Sequence, residues 1–418
     1  MIRMSRRKGA RRAVSTLALA LALGCGTVVA TGITAPAAYA QDNSRGFVEA
    51  YNEVMAAEKG ESPDWNVVKT KLPELVAAIS TEKDRLLAGQ IHLQTGTNLQ
   101  DPALQRAGLE MMLASGMVEP ENVGRFQFFV GSLAINAGDY AEARTALQAS
   151  WDAGYRDEDI RGLIGESYMR EGNEAQAVAY LMEQARTEAA AGNPVPEAWV
   201  LRALQTAYDS DMVEAGNEAA LMAVQLHPSP KNFSSALQII NGLNETTPQV
   251  QLDLLRLLRI ADSLPLREYS VMYIENADPR IMSNEVVDVL AEGLAAGQFD
   301  ATDTYYVEVK NIADGRTAAD QADAPELVAE AEAASDVQSA LIAGDVNWSI
   351  DNFAVAESMY ALAAMRDPTN ATAKMREGMA QVQQGKYAEA AATFDSVPEG
   401  DRTMVAALWK AYAVYMAG

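Results

Sequence analysis

One spacing constrains this chain more than any other feature. Gly131 and Gly165 lie 34 residues apart, and so do Gly344 and Gly378. Other pairs keep the same step: Gly138 with Gly172, Ala143 with Ala177, Leu147 with Leu181, Ala356 with Ala390, and Tyr360 with Phe394. A pattern recurring at this period comes from a helix–turn–helix unit stacked on copies of itself, because one unit cannot bury its apolar face alone. Small residues then mark close helix crossings. A glycine between the two helices supplies the left-handed residue that ends the first of them.

The clearest unit spans 124–157. Its first helix is expected at 126–136 and its second at 140–151, with Gly131 at the crossing, Gly138 in the turn and Asp139 capping the second helix. The next unit, 158–191, repeats Gly165, Tyr168, Gly172, Asn173, Ala177 and Leu181, but carries Glu174 where an aromatic belongs. A looser third unit has Gly216 at the small position and stops at His227-Pro228. Near the far end Gly344, Phe353, Ala356, Tyr360 and Pro368 mark one copy, and Gly378, Gly385, Tyr387, Ala390 and Phe394 the next. The apolar residues of 403–417, among them Leu408, Trp409 and Tyr412, read as a capping helix.

This pattern resembles the tetratricopeptide repeat family. The resemblance implies an all-α fold, a right-handed superhelical solenoid of antiparallel helix pairs. It also implies a non-catalytic scaffold for a protein or peptide, bound along the concave face lined by the first helices. By resemblance that face includes Phe128, Ser132 and Ile135; Gly162, Glu166 and Met169; Leu341, Asp345 and Trp348; and Met375, Met379 and Val382. The partner-binding candidates among them are Phe128, Ile135, Met169, Leu341, Trp348, Met375, Met379 and Val382. Family members that clamp the acidic tails of cytosolic chaperones need Lys, Arg and Asn there. None stands at these positions, so a basic or apolar partner is expected, met by adaptable Met side chains.

Outside these copies the pattern fades. Residues 41–123 read as two degenerate repeats with helices at 47–57, 64–78, 83–94 and 102–115. The 124–230 repeats follow, then an irregular helical segment over 231–336, then the 337–418 repeats. In the irregular segment 250–261 and 285–295 are amphipathic, with Leu252, Leu254, Leu255 and Leu258 on one and Val286, Val289 and Leu290 on the other. The acidic, Ala-rich run 314–335 fits either a solvated helix or a mobile hinge.

The N-terminus has the order of a secretory signal peptide. Arg3, Arg6, Arg7, Lys8, Arg11 and Arg12 precede an apolar run to about Ile33, and Ala38-Tyr39-Ala40 offers a cleavage site before Gln41. The expectation is export to the periplasm of a Gram-negative bacterium, with no transmembrane segment left after cleavage. Cys25, after Ala22-Leu23-Gly24, forms a degenerate lipoprotein box and leaves a lipid-anchored subunit of an envelope assembly machine as an alternative. Ser5-Arg6-Arg7 lacks the apolar pair of a twin-arginine signal.

Cleavage removes six of the 33 basic residues and none of the 57 acidic ones. The resulting acidity argues against nucleic acid, whose phosphates it repels, and suits basic partners. The single cysteine also leaves with the signal, so no disulfide can staple the mature chain. Chemistry is sparse. His92 and His227 have no second histidine or cysteine at metal-ligand spacing. Ser80-Thr81-Glu82-Lys83 matches S-x-x-K but reads as a helix cap led by Ser80. No cofactor or metal is expected. The rival to a scaffold is an enzyme or carbohydrate-processing module within 231–335, which a pocket of clustered, perturbed carboxylates would reveal.

Overall fold

The computed structural model describes residues 43–58, 64–262 and 264–418. The signal segment and Cys25 lie outside the described residues. Within them the fold is all-α: helix follows helix in antiparallel pairs, and no strand occurs. The chain divides into two compact units, one ending at Val118 and the other running from Glu119 to Gly418.

The first unit holds α1 (Arg45–Glu58), α2 (Trp65–Ala77), α3 (Glu82–Asn98) and α4 (Pro102–Ala114). Thr81, one residue beyond the expected Ser80, caps α3. Its hydroxyl accepts from the Asp84 amide, and the Asp84 carboxylate accepts from the Thr81 amide in return, closing a capping box. Ser44 Oγ donates to the same buried carboxylate at 2.8 Å and ties α1 to α3. Three glycines let α3 and α4 touch backbone to backbone. A Cβ on Gly108 would stand 2.5 Å from the Leu93 nitrogen, and one on Gly89 would stand 2.7 Å from the Gly108 oxygen. Gly96 is equally tight, 2.6 Å from the Gln105 nitrogen. His92 is buried in this unit, its Nδ1 2.8 Å from the Ala88 carbonyl, and burial lowers its pKa.

The second unit begins with the legible repeats, α5 (Pro120–Ala137) with α6 (Tyr140–Asp152) and α7 (Ile160–Glu171) with α8 (Glu174–Ala190). Then come α9 (Glu197–Asp209), α10 (Val213–Leu226), α11 (Pro230–Leu243), α12 (Pro248–Asp262), α13 (Arg267–Ala277), α14 (Ser283–Ala295) and α15 (Thr304–Ala333). The unit ends with α16 (Val337–Ser349), α17 (Phe353–Arg366), α18 (Ala371–Gln383), α19 (Tyr387–Asp395) and α20 (Thr403–Ala417). The 34-residue step has a direct steric origin. A Cβ on Gly131 would meet Leu147 Cγ at 2.6 Å, and one period later a Cβ on Gly165 would meet Leu181 at 2.7 Å. At the far end a Cβ on Gly344 would meet the Tyr360 ring at 2.5 Å, and one on Gly378 the Phe394 ring at 2.7 Å. Each repeat trades a side chain on its first helix for a large one on its second.

The turns follow the same logic. Gly138, Gly172 and Gly385 have φ of 86°, 84° and 74°. Asp351 occupies the position equivalent to Gly385 and takes φ 59°, a conformation that aspartate tolerates better than most residues. Asp139 stands at the N-cap of α6, but its side chain makes no capping bond there. The 314–335 run is helical as far as Ala333, where α15 ends, and it buries Asp320, Ala324 and Ala331.

The last helix does more than cap. Besides its neighbours α18 and α19, α20 packs against α10 and α12. Trp409 Nε1 donates to the Asp253 carbonyl at 2.9 Å, and the Tyr412 ring meets Phe233 edge-on at 5.4 Å. Within this unit the C-terminal repeats therefore wrap α12, whose Leu252, Leu254, Leu255, Leu257 and Leu258 are all buried. One apolar core runs from Val178 to Ala413.

Candidate functional site

Three charged residues interrupt the apolar surfaces of this closure, and each sits fully inside. Asp253 and Arg256 lie one turn apart on α12, and Arg376 lies on α18. The Asp253 carboxylate receives Arg376 Nε at 3.4 Å and Arg402 Nε at 3.3 Å. Arg376 Nη1 also chelates Asp345 on α16 at 2.6 and 2.7 Å, while its Nη2 bonds Gln249. Tyr360 Oη donates to the same Asp345 at 2.8 Å. One guanidinium nitrogen held between both carboxylate oxygens, with the tyrosine hydroxyl on one of them and the other nitrogens on Gln249 and Asp253, fixes direction as well as distance. It specifies how the C-terminal repeats meet α12.

Glu285, at the start of α14, is the second hub. Arg256 donates to it twice, Nε at 2.9 Å and Nη2 at 2.7 Å. Tyr273 Oη adds a bond at 2.6 Å and Trp348 Nε1 another at 2.9 Å. The Arg256 guanidinium lies over the Trp348 ring, 4.7 Å from its centroid. Burial by itself would raise the Glu285 pKa. The Arg256 charge and the Arg256, Tyr273 and Trp348 hydrogen bonds outweigh it and hold the group down to about 2.

Beside this hub opens a cavity of about 380 Å³. Tyr273, Trp348 and Phe353 give it aromatic walls, and the Trp348 and Phe353 rings pack edge-on at 5.2 Å. Four carboxylates line it, Glu285, Asp288, Glu292 and Asp351, against the two guanidinium groups of Arg256 and Arg259. Arg259 is committed to Glu292 at 2.6 Å, as Arg256 is to Glu285. Asp288 and Asp351 have no ion-pair or side-chain hydrogen-bond partner among the described residues. Burial pushes both pKa values up. The Arg259 charge offsets this in part, while each group also feels nearby acids, Asp351 and Glu292 around Asp288, and Glu285 around Asp351.

The partner-binding candidates read from the sequence lie mostly in the interior. Met375 and Met379 have no exposed surface, and Phe128, Ile135, Trp348 and Val382 are buried. Met169 and Leu341 keep partial exposure, Met169 accepting a hydrogen bond from Thr206. Trp348 does reach the site, as a wall of the cavity. Asp253, Arg256, Glu285, Asp288, Asp351 and Arg376 escaped the sequence reading. The signal that could have found them is a charge inside an apolar stripe, as with Asp253 and Arg256 among the leucines of α12. A second is an aspartate where the repeat demands a turn glycine.

The sequence profile of the tetratricopeptide repeat matches residues 131–194 and 341–403. Both stretches are tetratricopeptide repeats. Solved structures similar to this repeat protein include the C-terminal part of a TPR repeat-containing protein from Cytophaga hutchinsonii. It is 13% identical, with 78% of this chain and 97% of that one covered and a TM-score of 0.31. Another is the TPR2AB domain of yeast Sti1 in its complex with pHSP90, 14% identical over 71% of this chain and 95% of that one, with a TM-score of 0.24. Superpositions this loose say nothing of function. No curated protein sequence matches the chain.

The charged hubs of the repeat protein make its stability pH-dependent in a defined direction. Glu285, held at about 2 against an ordinary 4.5, contributes fully above 4.5 and loses that contribution as pH falls from there towards 2. His92 acts earlier. The unfolded chain takes up its proton near 6.5, the folded one resists, and the native state loses ground below that value. Asp288 and Asp351 oppose both, since protonation relieves them. The melting temperature is expected to decline below pH 6.5 and more steeply below pH 4.5. His92→Gln should flatten the upper part of the decline, and an unchanged profile in that variant would remove His92 from this account.

Proposed function

We propose that this protein is an exported, non-catalytic scaffold that binds a protein or peptide in the periplasm or at the cell envelope. Stacked tetratricopeptide helix pairs support the binding role, because such arrays present extended surfaces without needing reactive groups. The acidic surface favours a basic partner. Among the described residues no helix is long and apolar enough to cross a membrane. The single observation that carries the reading is the cavity beside Trp348. It is a preformed recess with aromatic walls and two unpaired carboxylates, set among repeats whose own groove residues are mostly buried.

Affinity capture from envelope extracts, with the chain from Gln41 onward as bait, tests the binding role. Saturable capture of a protein carrying a basic surface is expected, and its absence under low salt would sink the reading. Export is tested by intact mass. Material from the periplasm should begin at Gln41, and a retained Met1 or a diacylglyceryl group on Cys25 would contradict that start.

A second reading, a carbohydrate-processing site, has one specific observation in its favour. Asp288 and Asp351 are both pushed up within one cavity, as paired acid–base carboxylates would be. It predicts release of reducing ends from envelope oligosaccharides and loss of that activity in Asp288→Asn. The scaffold reading predicts no turnover.

A further inference from the structure

We propose that the cavity beside Trp348 is a receptor for one lysine or arginine side chain of the partner, with Asp288 and Asp351 as its counter-ions and the Trp348–Phe353 pair as the wall for its aliphatic stem. This deepens the scaffold reading and rests on it.

Charge balance is the first argument. Four carboxylates face two guanidinium groups, and those two are already spoken for by Glu285 and Glu292. The remaining pair, Asp288 and Asp351, stands at the solvent-exposed rim of the recess with no ion-pair partner of its own. Two like charges at one recess repel, and a cation placed between them relieves that repulsion. The turn is the second argument. Asp351 stands where the next repeat has Gly385, and it holds φ 59° there. Glycine would serve the turn without bringing a second carboxylate to the recess. Size is the third. At about 380 Å³ the cavity is at the small end of ligand pockets, which suits a side chain better than a folded segment. The remaining wall agrees, because long basic side chains lay their methylene stems on apolar surface and keep the charge at its edge. Trp348 and Phe353 provide that surface.

The test uses the full mature chain and three capped tripeptides, glycine–lysine–glycine, its norleucine twin and its glutamate twin. The indole N–H resonance of Trp348 is the readout. The lysine peptide should shift it saturably in the millimolar range, with weakening as salt is added, and neither twin should do so. The double variant Asp288→Asn, Asp351→Asn should bind the lysine peptide at least tenfold more weakly. It should also melt at or above the parent temperature, since asparagine tolerates the left-handed turn and the repulsion between two like charges is gone. Lost binding with retained or raised stability separates a recognition role from a structural one. Equal shifts from the norleucine peptide, or unaltered lysine binding in the double variant, would overturn the proposal. Captured partner provides the discriminating arm. If it binds parent and double variant equally, the receptor fails while the scaffold stands. If nothing is captured but the lysine peptide titrates as described, the cation site stands and the scaffold fails.

Discussion

Glu285→Ala should unfold the second unit more readily than any other single truncation of a polar side chain, lowering stability by about 3–5 kcal/mol. The reason is what remains. Arg256 stays fully buried, stripped of the two bonds that pair it, with Asp253, one turn earlier on α12, 3.7 Å away and already shared with Arg376 and Arg402. Tyr273 and Trp348 lose an acceptor at the same stroke. The pair itself need not be a large net stabiliser, because removing both charges from water costs nearly what their attraction returns. A double replacement, Arg256→Met with Glu285→Met, should therefore recover much of the loss. Denaturant melts of parent, single and double variants form the check. If the single variant loses under about 1 kcal/mol, the hub is solvated in solution and this account of the closure fails.

Gly378→Leu is the second large effect. The α18–α19 crossing leaves no room even for a methyl group, since a Cβ would sit 2.7 Å from a buried Phe394 ring. Leucine must push the helices apart, at a cost of about 1–3 kcal/mol by overpacking alone. Gly131→Leu should behave alike against Leu147, with the Ala143 carbonyl 3.1 Å away as a further obstacle. Gly315→Leu is the control. That glycine lies in α15 with nothing within 4 Å of its would-be Cβ, so leucine should leave stability unchanged or raise it by up to about 1 kcal/mol through helix propensity. Equal melting of Gly378→Leu and Gly315→Leu would show that the crossing is not close.

The glycine argument was open to sequence reading because its cause is local. Gly131 and Leu147, or Gly378 and Phe394, belong to one helix pair. The constraint between them is repeated wherever the pair is repeated, so it surfaces as a period. The helix limits of 140–151 and 285–295 were legible for the same reason, apolar residues at helical spacing between good stop signals. The 314–335 run was undecided because its Ala and acidic residues carry too little apolar contrast to show a face. Its place in α15 depends on the partners that bury Asp320, Ala324 and Ala331. The groove expectation met a different limit. Placing Met375, Met379 and Trp348 on first helices was correct, since α16 and α18 carry them. Their burial depended on a helix far away in the chain.

By itself, then, the sequence determined the unit: the pairing of helices, their close crossings, their glycine turns and the order in which they stack. These are contacts between residues a few turns apart, and short-range sterics encode them in residue type and spacing. Only the tertiary structure decided what the stack does with its inner face. Asp253 meets Arg376, Arg402 and Trp409 across 123 to 156 residues of chain, and no period in the sequence records such a meeting. The cavity exists because that return brings α12, α14, α16 and α17 together, and its unpaired carboxylates come from α14 and from the turn between α16 and α17. Long-range closure depends on the summed small rotations of every intervening helix pair. A charge in an apolar stripe can hint that it finds a partner, but the fold alone says which.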